Sequence, residues 1–504
     1  MTARMTARIT AENGPWPLHN ATASRAAEQL ALRNAQPGSL MTRAGVAVAR
    51  LARATAPHAA LVQVWSGPGN NGGDGLVAAR ELHLAGQGVQ IILLADAARL
   101  PTDAAAALKA AEAAGVPIAS AALTSQAPGL VIDALLGLGT SRAPAGALAQ
   151  AIAHINALIQ ASSAPVLAVD IPSGLHPDTG AVLGQAAVVA QATLSLLTLK
   201  PGCFTHQGRD HAGAVWLDTL GTVVDGCTAW LGGPPPRRGR SHAGHKGRYG
   251  DVAVVGGATG MVGAAWLAAG AALAAGAGRV YCSLLADAAA APPPGRPELM
   301  TRAQWWFSPP PVLAATTVVC GCGGGSGSDL RQALPPLLSH AARLVLDADA
   351  LNALAADSTL QSLLRQRGGR GLPTLLTPHP LEAARLLNCS SVDVQRDRIT
   401  AAQTLCSQFG VTVLLKGSGT IVACTTDLPH INSTGNAALA TAGTGDVLAG
   451  WAAGLWAQQP EAAAGAIATA AAWQHGRAAD AFADRCPGRP LRAADLIEAL
   501  VCGA

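Results

Sequence analysis

The chain has 504 residues, a formal net charge of +4 and only 3% aromatic residues. So thin a charge makes no basic field for a nucleic acid, and two tyrosines and four phenylalanines make no base-stacking platform. Half the residues are hydrophobic, enough for large cores, and the length suits two or three α/β domains.

The chain opens on a repeated MTAR, which allows a translation start at Met1 or Met5. No apolar leader follows, so a cytoplasmic protein is expected. From about residue 20 to 224, apolar runs at 61–66, 89–95, 130–135 and 165–171 alternate with Ala-rich helical stretches. Strand-like runs separated by helices imply a parallel sheet, and continuous hydrophobicity implies strands buried on both faces.

The first informative loop is Gly67-Pro68-Gly69-Asn70-Asn71-Gly72-Gly73-Asp74-Gly75, between a strand ending near Ser66 and a helix expected to begin near Leu76. Glycines let backbone N–H groups approach an anion, and a helix N-terminus adds a favourable field. A plain tight turn explains such a loop equally well. Two Asn and an Asp could also bind a cation or a ribose. Asp133 closes the next strand, before Gly137-Leu138-Gly139-Thr140-Ser141-Arg142. Asp170 closes another, before Ile171-Pro172-Ser173-Gly174. Singly each Asp reads as a helix cap. Three polar strand ends at one sheet edge favour a ligand site.

Residues 225–244, rich in Pro, Gly and Arg, read as a linker without regular structure, and Arg237, Arg238 and Arg240 as its solvated charges. Strand-like runs resume at 251–255, 318–320, 344–346, 374–376 and 411–416, and the last third is helical from about 445 to 501. The uncharged stretch 253–278 is long enough for a membrane span, but its glycines break it into strand, turn and helix. Ten cysteines form no disulfide framework, and Cys320 and Cys322 lack the second pair of a zinc site; they read as small residues beside a glycine loop.

The strongest motif is Ala442-Gly443-Thr444-Gly445-Asp446, ahead of a helix expected over 447–454. Its glycines free a nest of N–H donors for a transferring phosphoryl group, and Asp446 is placed to take a proton from an attacking hydroxyl. A capping Asp after a glycine turn is the ordinary alternative. Lys416-Gly417-Ser418-Gly419-Thr420 upstream suits nucleotide phosphates, and the polar loop Asn432-Ser433-Thr434-Gly435-Asn436 lies between.

GPGNNGGDG, VIDALLGLGT, VDIPSG and the later Lys200-Pro201-Gly202 resemble the NAD(P)HX epimerase family. That resemblance implies a Rossmann-like doubly wound domain over 20–224. It implies that Asn70, Asn71, Gly72, Gly73 and Asp74, with Gly137, Leu138, Gly139, Thr140, Ser141, Arg142 and Ala143, contact the hydrated dinucleotide. Asn71, Asp133 and Ser173 would hold K+, and Asp170 would bind substrate and serve as the acid–base group. Thr42, in Leu40-Met41-Thr42-Arg43-Ala44-Gly45, departs from the family's usual acidic residue, which touches one helix contact.

GTGD before a long helix resembles the ribokinase-like superfamily. His245-Lys246-Gly247, Val254-Val255-Gly256-Gly257, Pro297-Glu298-Leu299-Met300, Asp347-Ala348-Asp349-Ala350-Leu351-Asn352 and Thr377-Pro378-His379-Pro380-Leu381-Glu382 narrow this to the ADP-dependent NAD(P)HX dehydratases, over 245–504. By that resemblance Lys416, Gly417, Ser418, Gly419, Thr420 and Gly445 bind ADP or ATP. Ala264, Gly323, His379 and Asp446 contact the hydrate, and Glu382 helps organise Mg2+. The Cys320-Gly321-Cys322-Gly323 loop departs from the family's Pro-Gly-Leu-Gly but keeps both glycines.

The expected activity is repair of hydrated NADH and NADPH (NADHX and NADPHX): epimerisation of the R and S hydrates, then nucleotide-dependent dehydration of the S hydrate. A homo-oligomer without membrane or nucleic-acid partners is expected. One rival is a ribokinase-like small-metabolite kinase fused to a dinucleotide-binding module, which the 245–247 and 347–352 segments disfavour. A non-catalytic binder is the other, which the intact Asp133 and Asp170 disfavour.

Overall fold

The computed structural model describes residues 6–33, 35–36, 38–120, 127–236, 239–286 and 296–503. Met1, Met5, Arg237 and Arg238 lie outside the described residues. Two compact units meet between Leu231 and Gly232. That point falls inside the stretch expected to be a linker, but the stretch is not featureless: Ala229–Leu231 forms a strand. Proline and arginine crowd only its later part, and the Ala-Trp-Leu run is apolar enough to pair.

In the first unit the strands are β1 (Thr6–Arg8), β2 (Trp16–Leu18), β3 (Val62–Ser66), β4 (Val89–Leu93), β5 (Ile118–Ala119), β6 (Leu130–Ala134), β7 (Val166–Val169), β8 (Ala192–Leu196), β9 (Ala214–Asp218) and β10 (Ala229–Leu231). Its main sheet has the order β1-β9-β8-β7-β6-β3-β4-β5. β1 alone is antiparallel, to β9. It is built from residues before position 20, so the sheet begins earlier than expected.

Residues alternate between two cores on opposite faces of this sheet. Val62, Val64, Leu130 and Ile132 pack with the helices Ser39–Thr55, Asn70–Leu84 and Thr102–Ala113. Trp65, Val131 and Leu135 pack with Ile152 and Ile155 of Ala147–Ser162. Both cores are fed by a period of two, so the sheet is covered on both sides. The chain runs outward from β3 to β5 and returns to β6 on the other side of β3. That reversal opens a crevice between the carboxyl ends of β3 and β6.

The second unit carries β11 (Asp251–Gly256), β12 (Arg279–Leu284), β13 (Met300–Thr301), β14 (Thr316–Cys320), β15 (Arg343–Leu346), β16 (Thr374–Leu376), β17 (Thr412–Leu415), β18 (Ile421–Cys424) and β19 (Asp427–Ile431). They follow the order β13-β12-β11-β14-β15-β16-β17-β18-β19. Pairing is parallel from β13 through β17 and antiparallel at β17–β18 and β18–β19. The order again reverses between β11 and β14. The 253–278 stretch resolves into β11 and the helix Val262–Ala274. No helix of the described residues is long and apolar enough to cross a membrane.

The helix behind GTGD runs from Thr444 to Gln458, longer at both ends than expected. It rides directly on Val262–Ala274: a Cβ on Gly450 would lie 2.0 Å from the Ala268 carbonyl oxygen, and one on Gly454 2.3 Å from that of Ala272. Small residues let the backbones touch, which fixes where Asp446 sits in the first turn of its helix. Gly450→Val should therefore cost about 1–3 kcal/mol in denaturant unfolding of the second unit, and wild-type stability would contradict this packing.

Candidate active sites

The helix following β3 starts at Asn70, not near Leu76, so most of the glycine loop is helix. Packing explains the difference. A Cβ on Gly72 would lie 2.1 Å from the Gly67 carbonyl oxygen, and one on Gly75 2.6 Å from the Ala134 side chain. These glycines serve close helix–sheet approach, a use that a helix-propensity argument does not anticipate. Pro68, Gly69, Asn70 and Asn71 then present a helix N-terminus to a cavity of about 480 Å³.

That cavity sits at the β3/β6 reversal. The predicted residues lining it are Asn70, Asn71, Asp74, Gly137, Leu138, Gly139, Thr140 and Asp170. Gly72 and Gly73 are buried in the helix, while Ser141, Arg142 and Ala143 are exposed beyond the lining. Thr42 is exposed too, and its hydroxyl bonds the Gly38 carbonyl, so the departure there leaves the cavity untouched; Met41 and Ala44 line it instead.

Asp170 directly follows β7 with φ 68, a left-handed conformation that Asp tolerates better than most residues. Its carboxylate accepts from the Leu196 N–H at 3.1 Å and from the Lys200 ammonium. Lys200, 2% exposed, also donates to the carbonyls of Leu196 at 2.8 Å and Thr198 at 3.0 Å. Its charge is committed to Asp170 and its remaining protons to backbone.

Asn71 and Ser173 both bond the Leu136 backbone, and Asp133 bonds Ser173. Asn71 donates to the Leu136 carbonyl at 3.0 Å, and the Leu136 N–H donates to Ser173 Oγ at 2.9 Å. Asp133, in β6 and fully buried, accepts from Ser173 N–H at 2.8 Å, from Ser173 Oγ at 2.6 Å and from Leu135 N–H at 3.2 Å. Burial pushes its carboxyl up to about 6 despite those three donors. Oxygen donors around a buried carboxylate suit a hard cation.

In the second unit the loops after β11 and β14 are joined: Gly257 N–H donates to the Cys322 carbonyl at 2.9 Å and Ala258 N–H to that of Gly323 at 2.7 Å. Gly323, at φ 58, packs so closely on Ala264 that its own Cβ would stand 2.9 Å from the alanine's. The two predicted hydrate contacts are thus neighbours. Asp347 follows β15 and accepts from Lys416, which follows β17, at 2.6 Å. Burial lowers the Lys416 ammonium, but the Asp347 and Glu382 carboxylates outweigh it and the net direction is upward. Arg398 donates to the Lys416 carbonyl at 3.1 Å, and Thr420 Oγ1 to that of Gly417.

Gly443, at φ 87, precedes Thr444, whose hydroxyl donates to the carbonyls of Leu439 and Thr441. Gly445 and Asp446 occupy the first turn. Burial raises Asp446 to about 6, with the Asp347 carboxylate adding to the rise and the Cys322 thiol and Lys416 opposing it. The sulfur of Cys322 and carboxylate oxygens of Asp347 and Asp446 all lie within 4.8 Å of one another. Cys322 is therefore part of the site, a correction to its reading as a tolerated small residue. His379 caps its helix: its Nδ1 accepts from Leu381 and Glu382 N–H, while Glu382 accepts from the His379 N–H at 2.8 Å. Burial lifts Glu382 to about 6, with Lys416 opposing.

Glu28, which lines the first cavity, carries no sequence signal; it stands in an Ala-rich helix like any surface glutamate. Lys200 was visible only as part of a motif. Its pairing with Asp170 spans two strand ends that no local pattern relates.

A doubly wound Rossmann-like unit with a strand-edge cavity, and a ribokinase-like unit ending in a glycine turn and an Asp-headed helix, define a two-domain nucleotide enzyme. Residues 37–202 match the family described as YjeF-related protein N-terminus, and residues 252–501 match NAD(P)H-hydrate dehydratase. The bifunctional NAD(P)H-hydrate repair enzyme of Escherichia coli is 37% identical, over 92% of this chain and 88% of that relative. Its counterpart in Coxiella burnetii is 36% identical, over 91% and 93%. The ADP/ATP-dependent NAD(P)H-hydrate dehydratase of Bacillus subtilis, co-crystallised with ATP/Mg2+, is 26% identical with a TM-score of 0.42, over 52% of this chain and 91% of that one. The chain belongs to the bifunctional NAD(P)H-hydrate repair enzymes, which join an epimerase unit to a dehydratase unit.

Removing Lys200 leaves a buried carboxylate without its cation. Lys200→Met should cost about 3–5 kcal/mol of first-unit stability in chemical denaturation, and a loss below about 1 kcal/mol would show that the pair is not held as described.

Proposed function

We propose that the first unit interconverts the R and S hydrates of NADH and NADPH, and that the second dehydrates the S hydrate with ADP or ATP and Mg2+. The observation that carries this reading is Asp446, raised to about 6, in the first turn of a helix whose N-terminus is a left-handed glycine turn.

In the dehydratase unit, Asp446 takes the proton of the carbon-6 hydroxyl as its oxygen bonds the terminal phosphorus, and the bond to the nucleotide's bridging oxygen breaks. The N–H groups behind Gly443 and Gly445 face the charge that develops. The ring-nitrogen lone pair then expels phosphate, a better leaving group than hydroxide, and loss of a ring proton restores the reduced cofactor. Lys416, Gly417, Ser418, Gly419, Thr420 and Gly445 are assigned to the nucleotide, and Ala264, Gly323 and His379 to the hydrate. Asp347 and, less directly, Glu382 would offer oxygens for Mg2+, which would supply neutralisation of phosphate charge, while Asp446 stays free as the base. The raised Cys322 thiol stays protonated and leaves that task to the carboxylates.

In the epimerase unit, Asn70 and the helix N-terminus receive the dinucleotide phosphates with the 137–143 loop, and Asp170 works at the ring. Asn71, Asp133 and Ser173 hold K+, supported by the buried Asp133 carboxylate having no cationic side chain against it among the described residues. Epimerisation feeds the dehydratase the hydrate it cannot use directly. Buried free thiols at Cys203, Cys282, Cys320 and Cys322 fit a reducing, cytoplasmic setting.

Asp446→Asn should lower dehydration by about 10²–10⁴-fold while epimerisation persists; equal loss of both in a folded variant would contradict the division. Wild-type dehydration should fall as pH drops through about 6, because the base must be ionised. For the first unit, K+ in place of choline should raise its thermal midpoint, and Asp133→Asn should abolish that gain. A wild-type midpoint indifferent to K+ would remove the cation assignment.

A further inference from the structure

Asp170 gives the epimerase site one proton-transferring carboxylate, and inverting a hydroxyl-bearing carbon by loss and re-addition of water on opposite ring faces calls for two. One must donate to the departing oxygen and the other must accept from the arriving one. The cavity is lined by four carboxyl side chains and two cations: Glu28 and Arg25 from the helix Ala21–Arg33, Asp74 from Asn70–Leu84, Asp103 from Thr102–Ala113, Asp170 after β7, and Lys200. The ammonium is already spent, since Lys200 bonds Asp170 and two carbonyls. Among the described residues Asp74 has neither a hydrogen-bond partner nor an ion pair of its own, so nothing but a ligand or water remains for its carboxyl to meet.

We infer that Asp74 is the second proton-transferring group of the epimerase site, alternating with Asp170, and that Glu28 is a positioning residue that keeps Asp74 in its donor form. This rests on the epimerase reading above.

The environments of the two aspartates differ in the way an acid–base pair requires. Asp170 is engaged by the Lys200 ammonium and the Leu196 N–H, whereas Asp74 has no such partner among the described residues. Asp74 is pushed well above the usual carboxylate range, first by loss of solvent, then by the carboxylates of Asp170 and Glu28, with Lys200 opposing. Glu28 is itself raised, by burial and then by Asp170, with Lys200 and Arg25 opposing. Asp103 also lines the cavity, and Asp133 is engaged by Ser173.

The step balances without an outside reagent. The ring-nitrogen lone pair forms a double bond to carbon 6 as the carbon–oxygen bond breaks, and Asp74 gives its proton to the oxygen, which leaves as water. Water adds to the other face of carbon 6, the double-bond pair returns to nitrogen, and Asp170 takes the spare proton. In the opposite direction Asp170 donates and Asp74 accepts. Between like turnovers the proton returns from Asp170 to Asp74 through cavity water.

The test uses the full chain and a single purified hydrate epimer without added nucleotide, so that dehydration is silent, with chromatography reading interconversion across pH. Asp74→Asn should lower kcat by about 10²-fold or more with KM changed by less than about threefold, and Asp74→Glu should recover part of that loss. Glu28→Gln removes a negative neighbour, so the high-pH limb of the profile, where the donor loses its proton, should move to lower pH. A wild-type thermal midpoint of the first unit in each variant checks that the unit carrying the site is folded.

Asp74→Asn within about tenfold of wild type, or a change confined to KM, would overturn the assignment of Asp74. A Glu28→Gln profile superimposed on that of wild type would overturn the role of Glu28. If the wild type itself fails to interconvert the epimers, the epimerase reading falls instead, and the two failures are told apart by that one control.

Discussion

A carboxylate one residue beyond a parallel strand, held by a single lysine from later in the chain, recurs in both units. Asp170 follows β7 and meets Lys200; Asp347 follows β15 and meets Lys416. In an interior of low polarity an unpaired carboxylate at either place would be costly, and a lysine without its acid equally so. Each pair therefore ties distant segments together and fixes the charge at the strand edge where the ligand is to sit. The surrounding glycine turns and polar loops are arranged around that fixed charge.

The two sites use it differently. In the first, Lys200 bonds the very carboxylate assigned to the chemistry, and the second acid, Asp74, is left unpaired in the same cavity. In the second, Lys416 bonds Asp347, while Asp446 stands close by at a helix N-terminus and is raised first by burial and then by the neighbouring negative charge. One arrangement suits moving a proton back and forth at a ring carbon. The other suits removing a proton once, while phosphate charge is received by backbone donors. The difference follows from which partner the lysine takes, not from the fold, since both units reverse strand order beside the site.

Small residues are what make these placements rigid. The helix with Asp446 in its first turn packs backbone to backbone on Val262–Ala274, and the helix that carries Asp74 brings Gly75 against the Ala134 and Val64 side chains of β6 and β3. An Ala- and Gly-rich composition with few aromatics gives little freedom to bulky side chains, so the helix N-termini are set by main-chain contact. The same composition concealed where the helix after β3 begins: six glycine-rich residues looked like loop because their intrinsic preference is against helix, and tertiary contact overrode it.

Much was legible before any coordinates. Continuous apolar runs marked the buried parallel strands β3, β4, β6 and β7 and most of β11, β14, β15, β16 and β17, since strands covered on both faces must be apolar throughout. Asp133 and Asp170 stood out because polar residues at the ends of such runs are where an α/β sheet places its ligands, and Asp446 because it follows a glycine turn ahead of a helix. The strands β1, β2, β5, β8, β9, β10, β12, β13, β18 and β19 were not picked out, most of them being very short or interrupted by polar residues. Nor were Glu28 and Cys322, which look like an ordinary helix-surface acid and an ordinary core thiol. By itself the sequence determined the continuously apolar parallel strands and which of their ends carry chemistry, because run composition and strand-end residues are local properties. The pairing of Asp170 with Lys200, the crowding of Asp74 by Glu28 and the meeting of Cys322 with Asp347 and Asp446 were decided only by tertiary structure, because desolvation and Coulomb interaction depend on distance through space.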